Sequence, residues 1–437
     1  MDTSLALYLL LIFGVLISIG VPIAIAIGVS SVSIMLMAMP FMVAISTAGQ
    51  KMVNGIDSFS LLAVPLFIMA GNIMNHGGIA RRLVDFAYLF VGKIPGAVSH
   101  VNIIANMLFG SVSGSAVAAV AAVGKTLLPE AEKTGMNKEL FAAANIASGP
   151  TGQIIPPSNG MIVYSVVSGG TSIGALFLAG YLPGILMGLC STIVVAIYLK
   201  LHPKWAGKTQ EHKFTLSAAL TVAWRALPSL LMIVVVIGGI ISGVYTATEA
   251  ACSAVIYALI LSLIYKQINL KILLDVARDT MNISCMVLFL IGCSSVMSYV
   301  LAYTQIPKLI ATSMLSLTDS PFVIFLLMNI ILLIVGMFMD LTPAVLIFTP
   351  IFLPIATQLG MDPVHFGIMI LFNLCVGITT PPVGAALFVG CSITGVSIER
   401  VTKMLIPFFI ATILGLMVVT YVPELSLAIP RMAGMIN

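Results

Sequence analysis

Two adjacent prolines interrupt a long apolar stretch near the middle of this chain. Pro156 and Pro157 lie in the segment Gly149-Pro-Thr-Gly-Gln-Ile-Ile-Pro-Pro-Ser-Asn-Gly160, and apolar sequence precedes and follows it. Proline lacks an N–H and clashes with the preceding helical turn, so a regular helix cannot continue through this pair. The same signature recurs at Gly377-Ile-Thr-Thr-Pro-Pro-Val-Gly384. In lipid, the unpaired backbone groups of such breaks must face protein, water or a ligand, so the two breaks predict a binding site.

The composition restricts the chain to one class of fold. Of its 437 residues, 60% are hydrophobic and 8% are charged, and the mean hydropathy is +1.17. Apolar runs of about twenty residues suit membrane helices, whereas the strands of a membrane barrel alternate apolar and polar residues. The sequence therefore predicts an all-α polytopic membrane protein. The net charge of +4 is spread over short loops and leaves no basic surface for nucleic acid.

The chain also contains an internal repeat. Shifted by 225 residues, the segment 128–157 matches the segment 353–382 at nine positions without a gap. Two of the matches are the proline pairs themselves, and two others align Gly135 and Gly152 with Gly360 and Gly377. Chance matching of leucines does not align prolines and glycines in this way. We therefore interpret the two halves as a duplication.

The repeat suggests a division of the chain into three parts. Residues 1–199 are predicted to form the first repeat, 200–213 a basic cytoplasmic linker, and 214–437 the second repeat. Each repeat is expected to contain scaffold helices, then a hairpin that enters and leaves the membrane on one side, then a broken helix. The predicted hairpins lie near 105–123 and 325–355, and the predicted broken helices lie near 140–167 and 365–390.

Two local features support these assignments. The run Gly110-Ser-Val-Ser-Gly-Ser115 consists mostly of small residues, which allow the close backbone approach needed at a hairpin tip. The loop from Lys200 to Lys213 holds four lysines and two histidines against one acid, Glu211, and is the most basic loop of the chain. The positive-inside rule places it in the cytoplasm. Trp224, near this loop, fits an interfacial aromatic belt.

The sequence leaves two features open. They are the number of helices in the N-terminal apolar run and the relative orientation of the two repeats. Leu5 to Met39 can form one kinked helix or two short ones. An odd number of spans between equivalent positions would invert the repeats, and we favour inversion because alternating access follows from it. Transporters are commonly built from such repeats, with discontinuous helices that meet near the membrane midplane.

At these residues the chain resembles the large membrane subunit (DctM type) of the tripartite ATP-independent periplasmic (TRAP) transporters, over nearly its whole length. The resemblance rests on Asn54-Gly-x-Asp-Ser-Phe-Ser-Leu-Leu-Ala-x-Pro-Leu-Phe67, Gly77-Gly-Ile-Ala-Arg-Arg82, Ser111-x-Ser-Gly-Ser-Ala116 and Ile154-Ile-Pro-Pro-Ser158. The family's Thr-Pro-Thr-Glu-Ala segment appears as Thr246-Ala-Thr-Glu-Ala250, with Ala247 in place of the proline.

The resemblance implies a sodium-driven, elevator-type secondary transporter in the bacterial inner membrane. Such a protein is not an enzyme. It imports an organic anion, usually a carboxylate such as a dicarboxylate or an acidic sugar like sialic acid. A soluble periplasmic binding protein delivers the substrate. A smaller four-span membrane subunit stiffens the scaffold, and it is expected here as a separate chain.

The resemblance further implies a first sodium site at the tip of the first hairpin. Ser113 and Ser115 would bind the ion together with backbone oxygens of Gly152, Ile155 and Pro156. Hydroxyl and carbonyl oxygens can replace the hydration shell of sodium. The alternative interpretation is that the two serines only cap and pack a tight hairpin.

Applying the shift of 225 residues predicts a second sodium site near Asp340, Gly377, Thr380 and Pro381, so that at least two ions are expected. Asp340 is one of few acids embedded in apolar sequence. A carboxylate within the membrane is costly and therefore marks a functional candidate. The alternative is that Asp340 is a loop acid at the water boundary.

The substrate-binding candidates are the polar residues between the two breaks: Ser111, Asn145, Ser158, Asn159, Asn373 and Thr379. Each of them can instead satisfy the end of a helix. The first span after the linker is predicted near Leu227 to Tyr245. No arginine lies within a predicted core span, and the nearest, Arg278, lies in the polar stretch Asp275 to Asp279, which is expected at an interface. Recognition of an anion is therefore expected to rest on helix N-termini and hydroxyl groups. Arg81 and Arg82 are expected to contact water or lipid headgroups.

Three other functions compete with this interpretation. An elevator-type anion or ion transporter can use the same broken helices without a binding protein. A channel would need rings or filters of repeated polar residues, which the sequence does not show. An intramembrane protease would need a mate for Asp340 or a histidine near the hairpin serines, and no His-Glu-x-x-His motif is present.

Overall fold

A computed structural model describes residues 3–208, 216–318 and 320–436 of the chain. Within these ranges the chain is helical, with turns between the helices and no β-strand. Seven helices of the described chain are long and apolar enough to cross a membrane: Phe59–His76, Ile173–Leu201, Ser217–Ile241, Ala247–Ile264, Leu270–Tyr303, Leu341–Gln358 and Ile398–Tyr421. The predicted all-α polytopic fold is confirmed. Residues 209–213 of the predicted linker, with Glu211, lie outside the described ranges.

The helices follow one another with short connections. Those of the first half are α1 (Thr3–Ser18), α2 (Ile23–Ala38), α3 (Phe41–Ile56), α4 (Ala63–His76), α5 (Ile79–Val91), α6 (Ala97–Ser113), α7 (Ala116–Thr134), α8 (Lys138–Ser148), α9 (Thr151–Ile154), α10 (Asn159–Val167) and α11 (Ile173–Leu201). Those of the second half are α12 (Leu216–Ile241), α13 (Ala247–Ile264), α14 (Leu270–Tyr303), α15 (Ile306–Leu317), α16 (Pro321–Gly336), α17 (Leu341–Gln358), α18 (Pro363–Gly377), α19 (Ala385–Thr394), α20 (Ile398–Tyr421) and α21 (Glu424–Met432).

The N-terminal apolar run forms two helices rather than one kinked helix. Helix α1 ends at Ser18, and α2 begins at Ile23. Pro22 is the N-cap residue of α2, a position where the missing N–H breaks no helical hydrogen bond. The turn between the two helices therefore follows from one proline at a place where proline is tolerated.

Helices α6 and α7 meet at Gly114, which has a left-handed backbone with a φ of +62°, and α16 and α17 meet between Met337 and Asp340. Both meeting points lie inside the segments where hairpins are predicted. The helix that follows each hairpin is interrupted: α8 gives way to α9 and α10, and α18 gives way to α19. Both Pro-Pro peptide bonds are cis.

The helices pack in two groups that contact each other through α4, α5 and α14. In the first group, α4 packs against α13 and α14, and α14 also contacts α2 and α3. The second group contains the two hairpins and the two broken helices, together with α11 and α20. Helix α5 contacts α6 and α7 of the second group on one side and α12, which packs on α13, on the other.

Within the second group, each half of the chain packs against the other in a reciprocal way. Helix α10 of the first broken helix packs against α17 of the second hairpin, and α19 of the second broken helix packs against α7 of the first hairpin. Gly160 at the start of α10 lies against Leu371, and Gly390 in α19 lies against Ile146. Ile146 and Leu371 are equivalent under the shift of 225 residues.

Each hairpin approaches its own broken helix through a pair of glycines. A methyl group added at Gly152 would overlap the Cα atom of Gly110, and one added at Gly377 would overlap the Cα atom of Gly336. The obstacle is backbone in both cases, so it cannot move aside as a flexible side chain can. These contacts hold each hairpin directly against the backbone of its break.

We predict that Gly152→Ala lowers the free energy of unfolding by about 1–3 kcal/mol, because the added methyl group overpacks a backbone contact. Gly49→Ala is the matched control, since Gly49 is an exposed helical position with no atom within 4 Å of the new methyl group. Thermal unfolding of the two detergent-solubilised variants measures the difference. Equal melting temperatures for both variants would show that the glycine contact does not constrain the fold.

Candidate functional site

The tip of the first hairpin consists of Ser113, Gly114 and Ser115. Ser113 is the last residue of α6 and is buried, and its hydroxyl donates to the backbone oxygen of Ser115 at 3.5 Å. Ser115 is the N-cap residue of α7, and its hydroxyl accepts from the N–H of Ala118 at 3.3 Å. Both hydroxyls therefore have a hydrogen-bonding role in the hairpin, and each retains oxygen lone pairs.

This tip lies directly beside the first break. A methyl group at Gly114 would be 3.4 Å from both the backbone oxygen of Pro157 and the side-chain Nδ2 of Asn159. The contact between Gly110 and Gly152 lies one helical turn further along α6. The structure thus brings the predicted serines next to the segment that holds the predicted carbonyl ligands.

Three backbone carbonyls of the first break accept no helical hydrogen bond. The oxygen of Thr151 accepts from the N–H of Ile155 at 2.9 Å, and the prolines that follow have no N–H to donate. Within the described chain no hydrogen bond reaches the backbone oxygens of Gly152, Ile155 and Pro156. These three oxygens are available to a ligand.

At the second hairpin, Asp340 is the N-cap residue of α17. Its side chain is exposed, and its carboxylate lies beside the N–H of Leu341. Asp340 is also close enough to Cys375 of α18 to interact with it electrostatically. The carboxylate therefore lies at a helix N-terminus, where the partial positive charge of the helix stabilises an anion.

The second break lies against this hairpin in the same way as the first. Gly377 contacts Gly336, and the N–H of Val383 donates to the backbone oxygen of Met337 at 3.3 Å. The two breaks differ in their carbonyls, because the oxygen of Gly377 already accepts from the N–H of Thr380 at 2.9 Å.

The second break also contains the hydroxyl of Thr380 and the backbone oxygens of Thr380 and Pro381. The Thr380 hydroxyl donates to the Val376 oxygen at 2.8 Å. No hydrogen bond in the described ranges reaches the backbone oxygens of Thr380 and Pro381. The second break thus offers fewer free oxygens of the predicted set than the first, together with one carboxylate.

The two breaks also contact each other. The thiol of Cys375 lies 3.7 Å from the side-chain oxygen of Gln153, which belongs to α9. Gly160, at the other end of the first break, lies against Leu341, the residue after Asp340. The N-termini of α10 and α17 therefore meet on a shared wall between the two predicted ion sites.

Two of the six substrate candidates are fully buried in contacts between helices. The amide of Asn145 donates to the backbone oxygen of Val120 at 3.0 Å and accepts from Asn106 at 3.1 Å. The amide of Asn373 donates to the side-chain oxygen of Asn329 at 2.8 Å. The structure thus directs both amides toward neighbouring helices.

The other four candidates lie close to the breaks. Ser111, Ser158 and Thr379 each donate to a nearby backbone oxygen, those of Leu108, Gln153 and Val376 respectively. Asn159 differs from them, because its side-chain oxygen is buried and has no hydrogen-bond partner in the part of the chain that the structure describes. Among the six candidates, Asn159 and Asn373 each have a buried side-chain oxygen without a hydrogen-bond partner in the described ranges.

Two amides that were not predicted from the sequence hold the broken helices in place. Asn106 of α6 donates to the hydroxyl of Ser148 in α8 at 2.8 Å, and Asn329 of α16 receives the bond from Asn373 of α18. Ser148 and Asn373 are equivalent under the shift of 225 residues. In the sequence, the feature that indicates this role is a pair of amides in apolar runs, 223 residues apart.

Transition-metal chemistry finds no support in the side chains. Among the residues that the structure describes, no group of three His, Cys, Asp or Glu side chains could hold a metal ion. The oxygens at the breaks are hydroxyls, carbonyls and one carboxylate. Hard oxygen ligands of this kind suit hard cations rather than zinc or copper.

Comparison with known proteins gives one matching family. The model of the DctM component of the tripartite ATP-independent periplasmic transporters matches residues 10–425. The chain is 50% identical over 395 residues to YgiK of Salmonella typhimurium, described as uncharacterized, and the match covers 90% of each chain.

Several relatives carry functional names. The chain is 36% identical over 409 residues to the C4-dicarboxylate TRAP transporter large permease protein DctM of Rhodobacter capsulatus, which covers 90% of this chain and 92% of that protein. It is 34% identical over 389 residues to the sialic acid TRAP transporter large permease protein SiaM of Vibrio cholerae, with 89% and 90% covered.

Among solved structures, the YdaH transporter of Alcanivorax borkumensis resembles this chain with a TM-score of 0.61. The match covers 86% of this chain and 88% of that one, at 14% sequence identity. This likeness concerns the fold alone.

We predict that Asn106→Ala and Asn329→Ala each lower the free energy of unfolding by about 1 kcal/mol, because each leaves buried partners without a hydrogen bond. Asn282→Ala is the matched control, since Asn282 is exposed on α14. Unfolding in mixed detergent micelles measures the three variants. If all three unfold alike, the amides do not fasten the broken helices.

Proposed function

The chain belongs to the DctM component family of the tripartite ATP-independent periplasmic transporters, and from this premise we propose that it imports an organic anion as the large subunit of such a transporter. It is a multi-pass protein of the bacterial inner membrane. The observation that carries the proposal is the meeting of two hairpin tips and two broken helices. Their free carbonyls, hydroxyls and helix N-termini can bind a cation and an anion at neighbouring places.

We propose a carboxylate as the class of substrate. Two relatives are named for C4-dicarboxylates and for sialic acid, which are carboxylic acids, and a third is named for isethionate, which is a sulfonate. The N-termini of α7 and α10 lie together at the first break, and that of α17 lies beside them. Helix N-termini attract anions through their partial positive charge and their free N–H groups. The side-chain Nδ2 of Asn159 lies beside the tip of the first hairpin and can donate to a carboxylate, so Asn159 is the side chain best placed to contact the substrate.

We propose that sodium is transported together with the anion. At the first site, Ser113 and Ser115 would share the ion with the free backbone oxygens of Gly152, Ile155 and Pro156. Five neutral oxygens suit a monovalent ion, which needs less charge compensation than a divalent one. The support is the proximity of the hairpin tip to the break, together with the absence of hydrogen bonds to these carbonyls in the described ranges.

At the second site, Asp340 would contribute a full negative charge, with oxygens of Thr380 and Pro381 beside it. Gly377 remains a member of the proposed set, although its oxygen already accepts one hydrogen bond. A carbonyl oxygen has two lone pairs and can accept a bond and also coordinate an ion. Coordination here would neutralise a carboxylate that is costly at membrane depth.

The path of the helices supports an inverted arrangement of the repeats. The N–H of Asn137, just before α8, donates to Trp205 in the linker at 3.1 Å, so α8 starts on the side of the linker. Five membrane crossings then precede the second hairpin: the first broken helix, α11, α12, α13 and α14. The second hairpin enters and leaves the membrane on one side, so it adds no crossing. Because five is odd, α18 enters from the opposite side.

An inverted pair of repeats suits an elevator mechanism. The helix group with the hairpins and broken helices would carry the bound ions and substrate as a unit, and the group around α4, α13 and α14 would remain as the scaffold. The two proposed partners follow from the family. A small four-span membrane subunit would extend the scaffold, and a soluble periplasmic protein would deliver the anion.

The second candidate is an elevator-type transporter that takes its anion directly from solution. The overall likeness to the YdaH transporter supports the same kind of fold without specifying a delivery protein. A channel or a protease has no corresponding observation in its favour.

We predict that Ser113→Ala, Ser115→Ala and Asp340→Ala each weaken the apparent affinity for sodium about ten-fold, because loss of one ligand costs about 1.4 kcal/mol or more. The measurement is uptake of labelled carboxylates into vesicles that hold the assembled transporter, at varied sodium concentration. Ser33→Ala and Asp275→Asn are the controls, since Ser33 is half-buried, Asp275 is exposed, and both lie outside the two breaks. Unchanged sodium dependence in all three site variants would contradict both ion sites.

We also predict that uptake requires the soluble binding protein. Vesicles with both membrane subunits should accumulate substrate only when the loaded binding protein is present on the periplasmic side. Free substrate at saturating concentration, without that protein, is the control. Equal uptake under both conditions would favour the transporter that works without a binding protein.

A further inference from the structure

A cavity of about 700 Å³ lies between α5, α12 and the C-terminal end of α13, apart from the two breaks. Three arginines line it, Arg81 and Arg82 of α5 and Arg225 of α12, and the carboxylate among its lining residues is Asp85. The span expected to begin near Leu227 begins at Leu216, so Arg225 lies within a helix rather than in a loop. The cavity is large enough for a small ligand or a lipid headgroup.

The three guanidinium groups are in different states. Arg82 is fixed, because its guanidinium stacks 3.4 Å from the ring centre of Tyr265 and donates to the backbone oxygen of Gly78 at 2.9 Å. Arg81 and Arg225 are exposed, and within the described chain neither forms a hydrogen bond or an ion pair within 4.0 Å. Two guanidinium groups thus face the cavity with all their N–H donors unused by the protein.

The charge of the cavity favours an anionic occupant. Three arginines against one aspartate leave an excess of positive charge, and like charges repel more strongly near a membrane than in water. Tyr265 also lines the cavity, but its hydroxyl is buried and has no hydrogen-bond partner in the described ranges. This hydroxyl is not reached from the cavity, so recognition of an anion rests on the guanidinium groups.

The cavity lies on the side of the membrane where the basic linker lies. Helix α12 begins directly after the linker, and α13 returns to the same side at Ile264. Trp224, at the rim of the cavity, is 74% exposed, as expected for an aromatic residue at the membrane interface. On the cytoplasmic side, anionic lipid headgroups lie at this depth, and basic pockets between helices bind them.

We propose that this cavity binds a phosphate group, supplied by an anionic phospholipid or by a soluble phosphate compound. The planar guanidinium fork matches the oxygens of phosphate, and Arg81 and Arg225 can approach one phosphate from two helices. Such a ligand ties α5, which contacts the hairpin, to α12 of the scaffold side. The site is independent of the sodium and carboxylate sites proposed above.

The test uses Trp224 as a reporter in the full-length chain. Trp205→Phe leaves Trp224 as the sole tryptophan, since the chain has two. The protein is reconstituted with phosphatidylcholine and with phosphatidylglycerol brominated on its acyl chains, and quenching gives the relative binding constant of the two lipids. We expect phosphatidylglycerol to bind about ten-fold more tightly than phosphatidylcholine, because one or two charge-assisted hydrogen bonds contribute about that factor.

Two double variants carry the comparison. Arg81→Gln/Arg225→Gln should abolish the preference, and Arg81→Lys/Arg225→Lys, which keeps the charge but loses the fork, should retain part of it. Lys271→Gln/Arg278→Gln is the control, because it removes two exposed charges from the same side of the membrane, outside the cavity. This control should keep the full preference.

A second arm identifies the source of the phosphate. If the lipids are not distinguished, but inorganic phosphate raises the melting temperature of the wild type and not that of Arg81→Gln/Arg225→Gln, the ligand is a soluble phosphate compound. The proposal is overturned if neither lipid nor phosphate distinguishes the wild type from that variant. It is equally overturned if the Lys271→Gln/Arg278→Gln control loses the preference to the same extent, because the effect is then one of overall charge.

Discussion

Backbone carbonyl groups released at the two Pro-Pro pairs are the constraint on which the arrangement of the second helix group depends. Each proline removes a donor, and a carbonyl left without a partner in hydrocarbon costs several kcal/mol. The breaks can therefore exist only where other helices enclose them or a ligand binds them. The glycine contacts at Gly152 and Gly377 bring a hairpin against each break, and the buried amides of Asn106 and Asn329 fasten the helix that leads into it.

The reciprocal packing of the repeats places the two breaks side by side. Helices α10 and α17 meet, as do α19 and α7, so each hairpin contacts the broken helix of the other repeat as well as its own. Under the proposed function, a cation bound at a hairpin tip would order the N-terminus of the following helix. The anion would then find two or three ordered N-termini at once, so coupling of the two ligands would be electrostatic and local.

Much of this architecture could be predicted from the sequence, because its determinants are local. The proline pairs mark the breaks at Pro156 and Pro381, and small residues mark the first hairpin tip. The roles of Asn145 and Asn373 could not be predicted. An amide in an apolar run is expected to form hydrogen bonds, but the sequence does not show which neighbouring helix supplies the partner. The role of Arg225 could not be predicted either. The structure shows that α12 begins before this residue, and that Arg225 lines a polar cavity between α12 and α5.

The two proposed sodium sites are tested most directly by density maps of the assembled transporter. One map is determined in sodium, and the other with sodium replaced by a large organic cation. The account predicts two ion densities in sodium only. One should lie within coordinating distance of the Ser113 and Ser115 oxygens and the carbonyls of the first break, and the other should lie beside Asp340. Maps without a difference at the two breaks, or with sodium-dependent density only elsewhere, would contradict the account.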